Sequence, residues 1–167
     1  MKNTPSLLLA SATLMLSVLP QAGAATSAPP PGTVREQLQV RSAHGKVLVR
    51  VKLENQGAQP VYVPAAIAGS GTLTGPLFGI VDLADGTSLL YVGKMVKRGP
   101  LGPDDFIRLA PHAVRHNTID ITSDYAFKDG THRYRLSHEG SYLNKLENVE
   151  AALPAPAASA EFTHTAP

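Results

Sequence analysis

The 167-residue chain contains no cysteine. That absence rules out disulfides, lipoprotein anchoring and the strongest side-chain nucleophile in one stroke. An excess of either charge is missing as well. Fifteen Lys and Arg against 13 Asp and Glu, interleaved along the chain, give a formal net charge of +2. Nucleic-acid binding wants a concentrated basic face, so nucleic acid is not the expected partner. Beyond the N-terminus there is no apolar run long enough to cross a membrane. Leu7 to Leu19 (LLLASATLMLSVL) is itself short of the roughly 20 residues that a span needs. It follows Lys2, is broken by Pro20, and leads to Ala22-Gly23-Ala24, a small-x-small pattern of the kind signal peptidase reads. Residues 1–24 are therefore expected to be a cleaved secretory signal; the alternative is an uncleaved anchor or a buried N-terminal helix. An exported domain without disulfides must be held by its core. A bacterial periplasmic or secreted location fits that better than a eukaryotic extracellular one.

What is present is alternation. After a Pro-rich spacer, residues 25–32 (ATSAPPPG), period-two strands are expected at 34–41 and 46–54, joined by Ser42-Ala43-His44-Gly45. In the second, Val47, Val49, Val51 and Leu53 share the face expected to be buried. Pro60 to Pro64 reads as a short strand fenced by prolines and suited to a sheet edge. Ala65 to Gly75 is a small-residue loop, with Gly69-Ser70-Gly71 flexible. Further strands are expected at 77–83, 88–92 after an Asp85-Gly86 hairpin signal, 106–109, 113–121, 131–137 and 159–164. Only the stretch from Leu143 to Ala152 has any helical character. Seven to nine short strands with closely spaced turns predict one all-β domain over 33–165, an immunoglobulin-like antiparallel β-sandwich.

Catalytic constellations are hard to find. No Gly-x-Ser-x-Gly elbow occurs, and Gly69-Ser70-Gly71 lacks the Lys-Ser/Thr continuation of a phosphate loop. The nearest approach to the zinc-peptidase His-Glu-x-x-His is His138-Glu139-Gly140-Ser141-Tyr142, with Tyr in place of the second ligand and a glycine that disfavours a helix. His112 and His116 are four apart across a turn and a strand start. They are the best metal-ligating candidates, for Cu or Zn, although solvated histidines are the simpler reading. The carboxylate pairs Asp104-Asp105 and Asp82 with Asp85 read as loop and turn residues. No catalytic residue and no cofactor are expected.

One segment stands apart. In Tyr91-Val92-Gly93-Lys94-Met95-Val96-Lys97-Arg98-Gly99-Pro100, three cations crowd into five positions between an apolar strand and Gly/Pro breakers. Such a loop can hold a fixed shape and project Lys94, Lys97 and Arg98 toward an acidic partner. Composition alone favours a solvated loop whose cations pair with Asp104 and Asp105.

The same residues carry a resemblance. Phe78, Asp85-Gly86, Tyr91-Val92-Gly93, Lys97-Arg98-Gly99-Pro100, Asp105-Phe106, Leu109-Ala110-Pro111 and Tyr125-Ala126-Phe127 with Gly130 follow one another along 77–136. That order is similar to the domain preceding the catalytic domain in bacterial metalloendopeptidases of the deuterolysin and peptidyl-Lys type. Glu54-Asn55-Gln56-Gly57 resembles an earlier turn of that domain, and Ser159 to Phe162 its closing strand. Where the family has Gly-x-Tyr, this chain has Gly130-Thr131-His132-Arg133-Tyr134, so either the turn is longer or His132 takes the aromatic position. Because His-Glu-x-x-His is absent, peptidase activity is not carried over. The resemblance implies a free-standing, propeptide-like immunoglobulin-like module that binds a zinc metalloendopeptidase as inhibitor or folding partner, with Lys94, Lys97 and Arg98 or the 65–75 loop at the contact. The alternatives are a periplasmic Cu/Zn-binding protein using His112 and His116, and a structural cell-envelope adaptor.

Overall fold

Alternation builds the first hairpin. In a computed structural model that describes residues 33–167, β1 (Val34–Ala43) and β2 (Lys46–Asn55) pair antiparallel, from Val34 opposite Asn55 to Ala43 opposite Lys46. The expected signal segment 1–24 and spacer 25–32 lie outside the described residues. His44 and Gly45 make the turn with φ of 53° and 73°, the pair of positive values that a type I′ hairpin turn requires. Val47, Val49, Val51 and Leu53 all face inward and are no more than 2 % exposed, as their spacing predicts.

On the other side of β2 lies β6 (Val114–Asp120), antiparallel, with Ile119 opposite Val49. The second sheet is made of β4 (Gly79–Asp82), β7 (Gly130–His138) and β10 (Ala158–Ala166), in the order β10-β7-β4 and again antiparallel. Its inner residues Ile80, Tyr134, Leu136 and Phe162 join those of the first sheet in one core. First, second and sixth strands in one layer, with fourth, seventh and tenth in the other, reproduce the division of strands in an immunoglobulin-like sandwich. The fold is that expected from the sequence. The strand total is ten among the described residues because β8 (Ser141–Tyr142) and β9 (Leu153–Pro154) form a short extra pair. They flank the 143–152 stretch in which helical character was expected; no helix forms in it.

Three local expectations are corrected. The proline-fenced segment, β3 (Val61–Pro64), is not an edge. It pairs with β5 (Phe106–Leu109) on one side, while Tyr62 exchanges both backbone hydrogen bonds with Leu143 on the other, each 2.8 Å. Pro60 precedes this strand and Pro64 ends it, so neither has to donate within it. The stretch read as a flexible loop contains a one-turn helix, α1 (Ala65–Ala68), that buries Ile67 and Ala68. From β6, Arg115 Nε donates to the Ala68 carbonyl (2.6 Å), and Asn117 Nδ2 donates to the carbonyls of Ile67 (2.9 Å) and Ser70 (2.8 Å). Those three bonds fix Gly69-Ser70-Gly71 where composition indicated freedom. Finally, 88–92 is not a continuous strand. It makes only isolated bridges, Ser88 to Val81 and Tyr91 to Tyr125; the Val92 and Ala126 N–H groups make the second by bonding to the Asp124 and Leu90 carbonyls, and Gly93 ends it by sharing the Asp124 carbonyl.

Polar groups inside the sandwich are paired. On the inner face of β1, Glu36 Oε1 lies 2.8 Å from His138 Nδ1 of β7, and Ser42 Oγ lies 2.9 Å from His164 Nδ1 of β10. Two imidazoles thus tie the first strand to the opposite sheet. Burial holds His164 below the ordinary histidine pKa. The Tyr134 hydroxyl accepts the Lys128 N–H from six residues upstream (3.2 Å), a contact of tyrosine-corner type.

Candidate functional site

The segment from Leu90 to Leu101 is held by its polar atoms and displays its apolar ones. Its base is Tyr91, whose ring meets Tyr125 edge-on at 5.3 Å and whose hydroxyl donates to the Lys94 carbonyl (2.9 Å). Tyr125 is fixed in turn, its hydroxyl donating to the Phe78 carbonyl (2.8 Å) and accepting the Phe78 N–H (3.0 Å). Burial raises the pKa of both phenols above the usual tyrosine value, so both remain donors. Val92 and Gly93 bond to the Asp124 carbonyl at 2.8 and 3.2 Å. A Cβ at position 93 would collide with the Asp124 carboxylate and the Tyr91 hydroxyl, so this close approach requires a glycine.

Further along, the Val96 N–H donates to the Thr74 carbonyl (3.0 Å). Arg98 Nη2 donates to Thr74 Oγ1 (2.6 Å), and its Nη1 lies 3.5 Å from Asp105 Oδ1. The other oxygen of Asp105 caps a short 3-10 helix (Pro103–Asp105) by accepting the Gly102 N–H (2.9 Å). Between these attachments the loop faces water. Leu90 is 71 % exposed, Val92 54 %, Met95 71 %, Val96 41 % and Leu101 52 %. Apart from Val114 and Leu153, these are all the exposed large apolar side chains among the described residues.

The three cations singled out by sequence separate into two kinds. Arg98 is spent on Thr74 and Asp105, so the plain expectation of pairing within the loop holds for it. Lys94 and Lys97 are exposed and make no ion pair among the described residues. The two segments named as contact surfaces, 65–75 and 94–98, meet at one groove of about 310 Å³. Ala66, Leu73, Pro76, Leu77, Val96 and Leu101 line it, with Arg98 alongside.

The other candidates are not gathered into a centre. His112 is exposed in a left-handed turn with φ of 58°, and His116 is exposed on β6 opposite Lys52. Among the described residues no group of three or more His, Asp or Glu side chains could hold a metal ion. Asp82 and Asp85 do come together, but around Lys128, whose Nζ lies 2.8 and 2.7 Å from their carboxylates. His132 Nδ1 sits 2.9 Å from the same Asp82 oxygen. The hydrogen bonds from Lys128 are the main reason both aspartates stay well below the usual carboxylate pKa, as fixed charges. Beside them His132 is half-buried and stacks on Tyr134, and Tyr134 fills the interior position.

Sequence reading found the cations of the loop and missed its apolar side. Part of the signal was there, since Met95, Val96 and Leu101 stand in a Gly/Pro-broken stretch; Leu90 and Val92 fall in the segment expected as a strand, and only the fold shows that it lacks continuous pairing.

No family model matches the chain, and no curated protein sequence does either. Among solved structures it is similar to the ASH/PapD-like domain of human CEP192 (PapD-like domain 7), at 12 % identity and a TM-score of 0.38, over 92 % of this chain and 94 % of that one.

Proposed function

We propose that this chain is an exported, non-catalytic binding module that grips a protein partner with the 90–101 loop, and that the partner is a zinc metalloendopeptidase served as a propeptide-like inhibitor or folding partner. One observation carries the first part. A loop fixed at Thr74, Asp105 and Asp124 turns five large apolar side chains and two unpaired lysines to solvent. Leaving apolar surface in water costs about 25 cal/mol per Å², and contiguous exposed apolar patches rimmed by polar groups mark interaction sites. The run of motifs shared with the leading domain of deuterolysin-type endopeptidases supports the identity of the partner. In support of a non-catalytic role, Glu36 is bound to His138, Asp82 to Lys128 and His132, and His164 to Ser42.

The test is direct. Mixed one-to-one with a zinc endopeptidase from the same periplasm or culture supernatant, the protein is expected to co-elute with it and to change its activity or its refolding yield. Equal activity with and without the protein, together with separate elution, overturns the proposal.

A further inference from the structure

We infer that the partner presents a short segment in which an apolar side chain is flanked by carboxylates. The apolar group seats in the groove between 66–77 and 96–101, the carboxylates meet Lys94 and Lys97, and Arg98 serves as the strut that keeps the groove open. This rests on the binding reading above and specifies its chemistry.

The division of labour follows from the partners each cation already has. Arg98 reaches across to Thr74 and Asp105, so it joins the 74–77 wall to the 96–101 wall. The Val96 N–H on the Thr74 carbonyl closes the same junction. Lys97 lies between two groove-lining residues, Val96 and Arg98, and Lys94 lies two positions before Val96. Neither lysine has a carboxylate partner within the loop. Asp105 is taken by Arg98 and by the Gly102 N–H.

The cavity, about 310 Å³, stands at the lower limit of small-ligand sites, roughly 300–1,000 Å³. That suits a side chain or two. Its concavity favours a peptide over an anionic bilayer, which offers no protrusion to fill a groove. A bilayer also gains only about 1 kcal/mol per basic residue, so lasting attachment draws on clusters of roughly four to eight. Two lysines fall short of that.

The probe is the peptide Asp-Glu-Leu-Leu-Glu-Asp, titrated into the isotopically labelled full chain and followed by amide NMR. The expected shifts are confined to residues 66–77 and 94–101. Replacing the acids by Asn and Gln, or the leucines by Gly, is expected to weaken binding at least about tenfold. Charge reversal in Lys94→Glu/Lys97→Glu should abolish binding of the acidic peptide and confer binding of Lys-Lys-Leu-Leu-Lys-Lys, without changing the protein's urea midpoint. Shifts scattered over the surface, equal binding of the Asn/Gln peptide, or these loop shifts appearing with phosphatidylglycerol vesicles and not with the peptide would each overturn the inference.

The two levels separate in a second titration against the endopeptidase. If its complex is broken by Met95→Ser/Leu101→Ser and untouched by charge reversal, the acidic-segment inference fails while the binding reading stands. If the peptide binds as described and no endopeptidase complex forms, the groove chemistry stands and the proposed partner falls.

Discussion

Ile119 and Leu90 are similar in size and apolarity, yet one is fully buried and the other 71 % exposed. The difference lies in how each backbone is satisfied. Ile119 is on a strand paired with β2, so the pleat sends alternate side chains into the core. Leu90 is in a segment whose backbone bonds go to Ile80, Ala126, Asp124 and Thr74 without forming a continuous strand pair. Around its isolated bridges Leu89 and Tyr91 pack against the core while Leu90 and Val92 point outward, and beyond Gly93 no strand pairing turns Met95, Val96 or Leu101 back inward. The inward-facing side chains of the paired strands are buried, whereas the large aliphatic side chains of the 90–101 segment are displayed where the chain is fixed at isolated points.

Mutations on the two sides of this contrast should behave oppositely. The largest effect is expected for Tyr134→Ala, which removes a fully buried ring packed on Phe127 and Phe162. It should cost about 3–5 kcal/mol in urea denaturation. Leu90→Ser and Met95→Ser should stay within about 0.5 kcal/mol of wild type. A loss above about 1 kcal/mol for either would mean that the loop supports the fold and is not free to bind.

Next comes the tie between the sheets. Glu36→Ala leaves the buried His138 nitrogen without its acceptor and should cost about 1–3 kcal/mol. The double change Glu36→Leu/His138→Leu should recover most of that. Failure of the double variant to recover would show that the pair does more than satisfy itself.

A smaller effect is expected from pH at the second imidazole. His164 takes up a proton less readily in the folded than in the unfolded chain. Its contribution is therefore complete above the unfolded value of 6.5 and is lost as pH falls from there toward the lowered folded value. The urea midpoint of wild type should drop over that window, and His164→Gln should drop less; parallel curves would remove His164 from the account.

The smallest effect belongs to the loop base. Gly93→Ala forces the Asp124 and Tyr91 side chains aside, at a cost of about 1 kcal/mol. It should move amide resonances in 91–97 and leave those of β2 and β7 in place. Unmoved resonances in 91–97 would mean that the close approach at Gly93 does not shape the loop.

The sheets were legible because Val47, Val49, Val51, Leu53 and their counterparts in β7 and β10 repeat at the pleat's own period. What escaped reading depends on partners distant in sequence. The second neighbour of β3 is Leu143, 81 positions beyond Tyr62. The anchors of Gly69-Ser70-Gly71 are Arg115 and Asn117, and nothing local marks them. At the candidate site the lysines could be picked out by charge. Their freedom, against the engagement of Arg98, depends on where Thr74 and Asp105 fold, which no spacing rule supplies.

The exposure of Lys94, Lys97 and Arg98 also makes this loop the natural first target for trypsin. A cut after Lys97 would divide the strands unequally in sequence but evenly in space: β1, β2 and β4 before the nick, β6, β7 and β10 after it. Each half would supply strands to both layers, and the β2–β6 and β4–β7 ladders would bridge the break. The nicked molecule should run as two fragments in denaturing gel and elute as one species in native buffer. A molecule of this construction could be cleaved in this exposed loop and still keep both layers of its sandwich together.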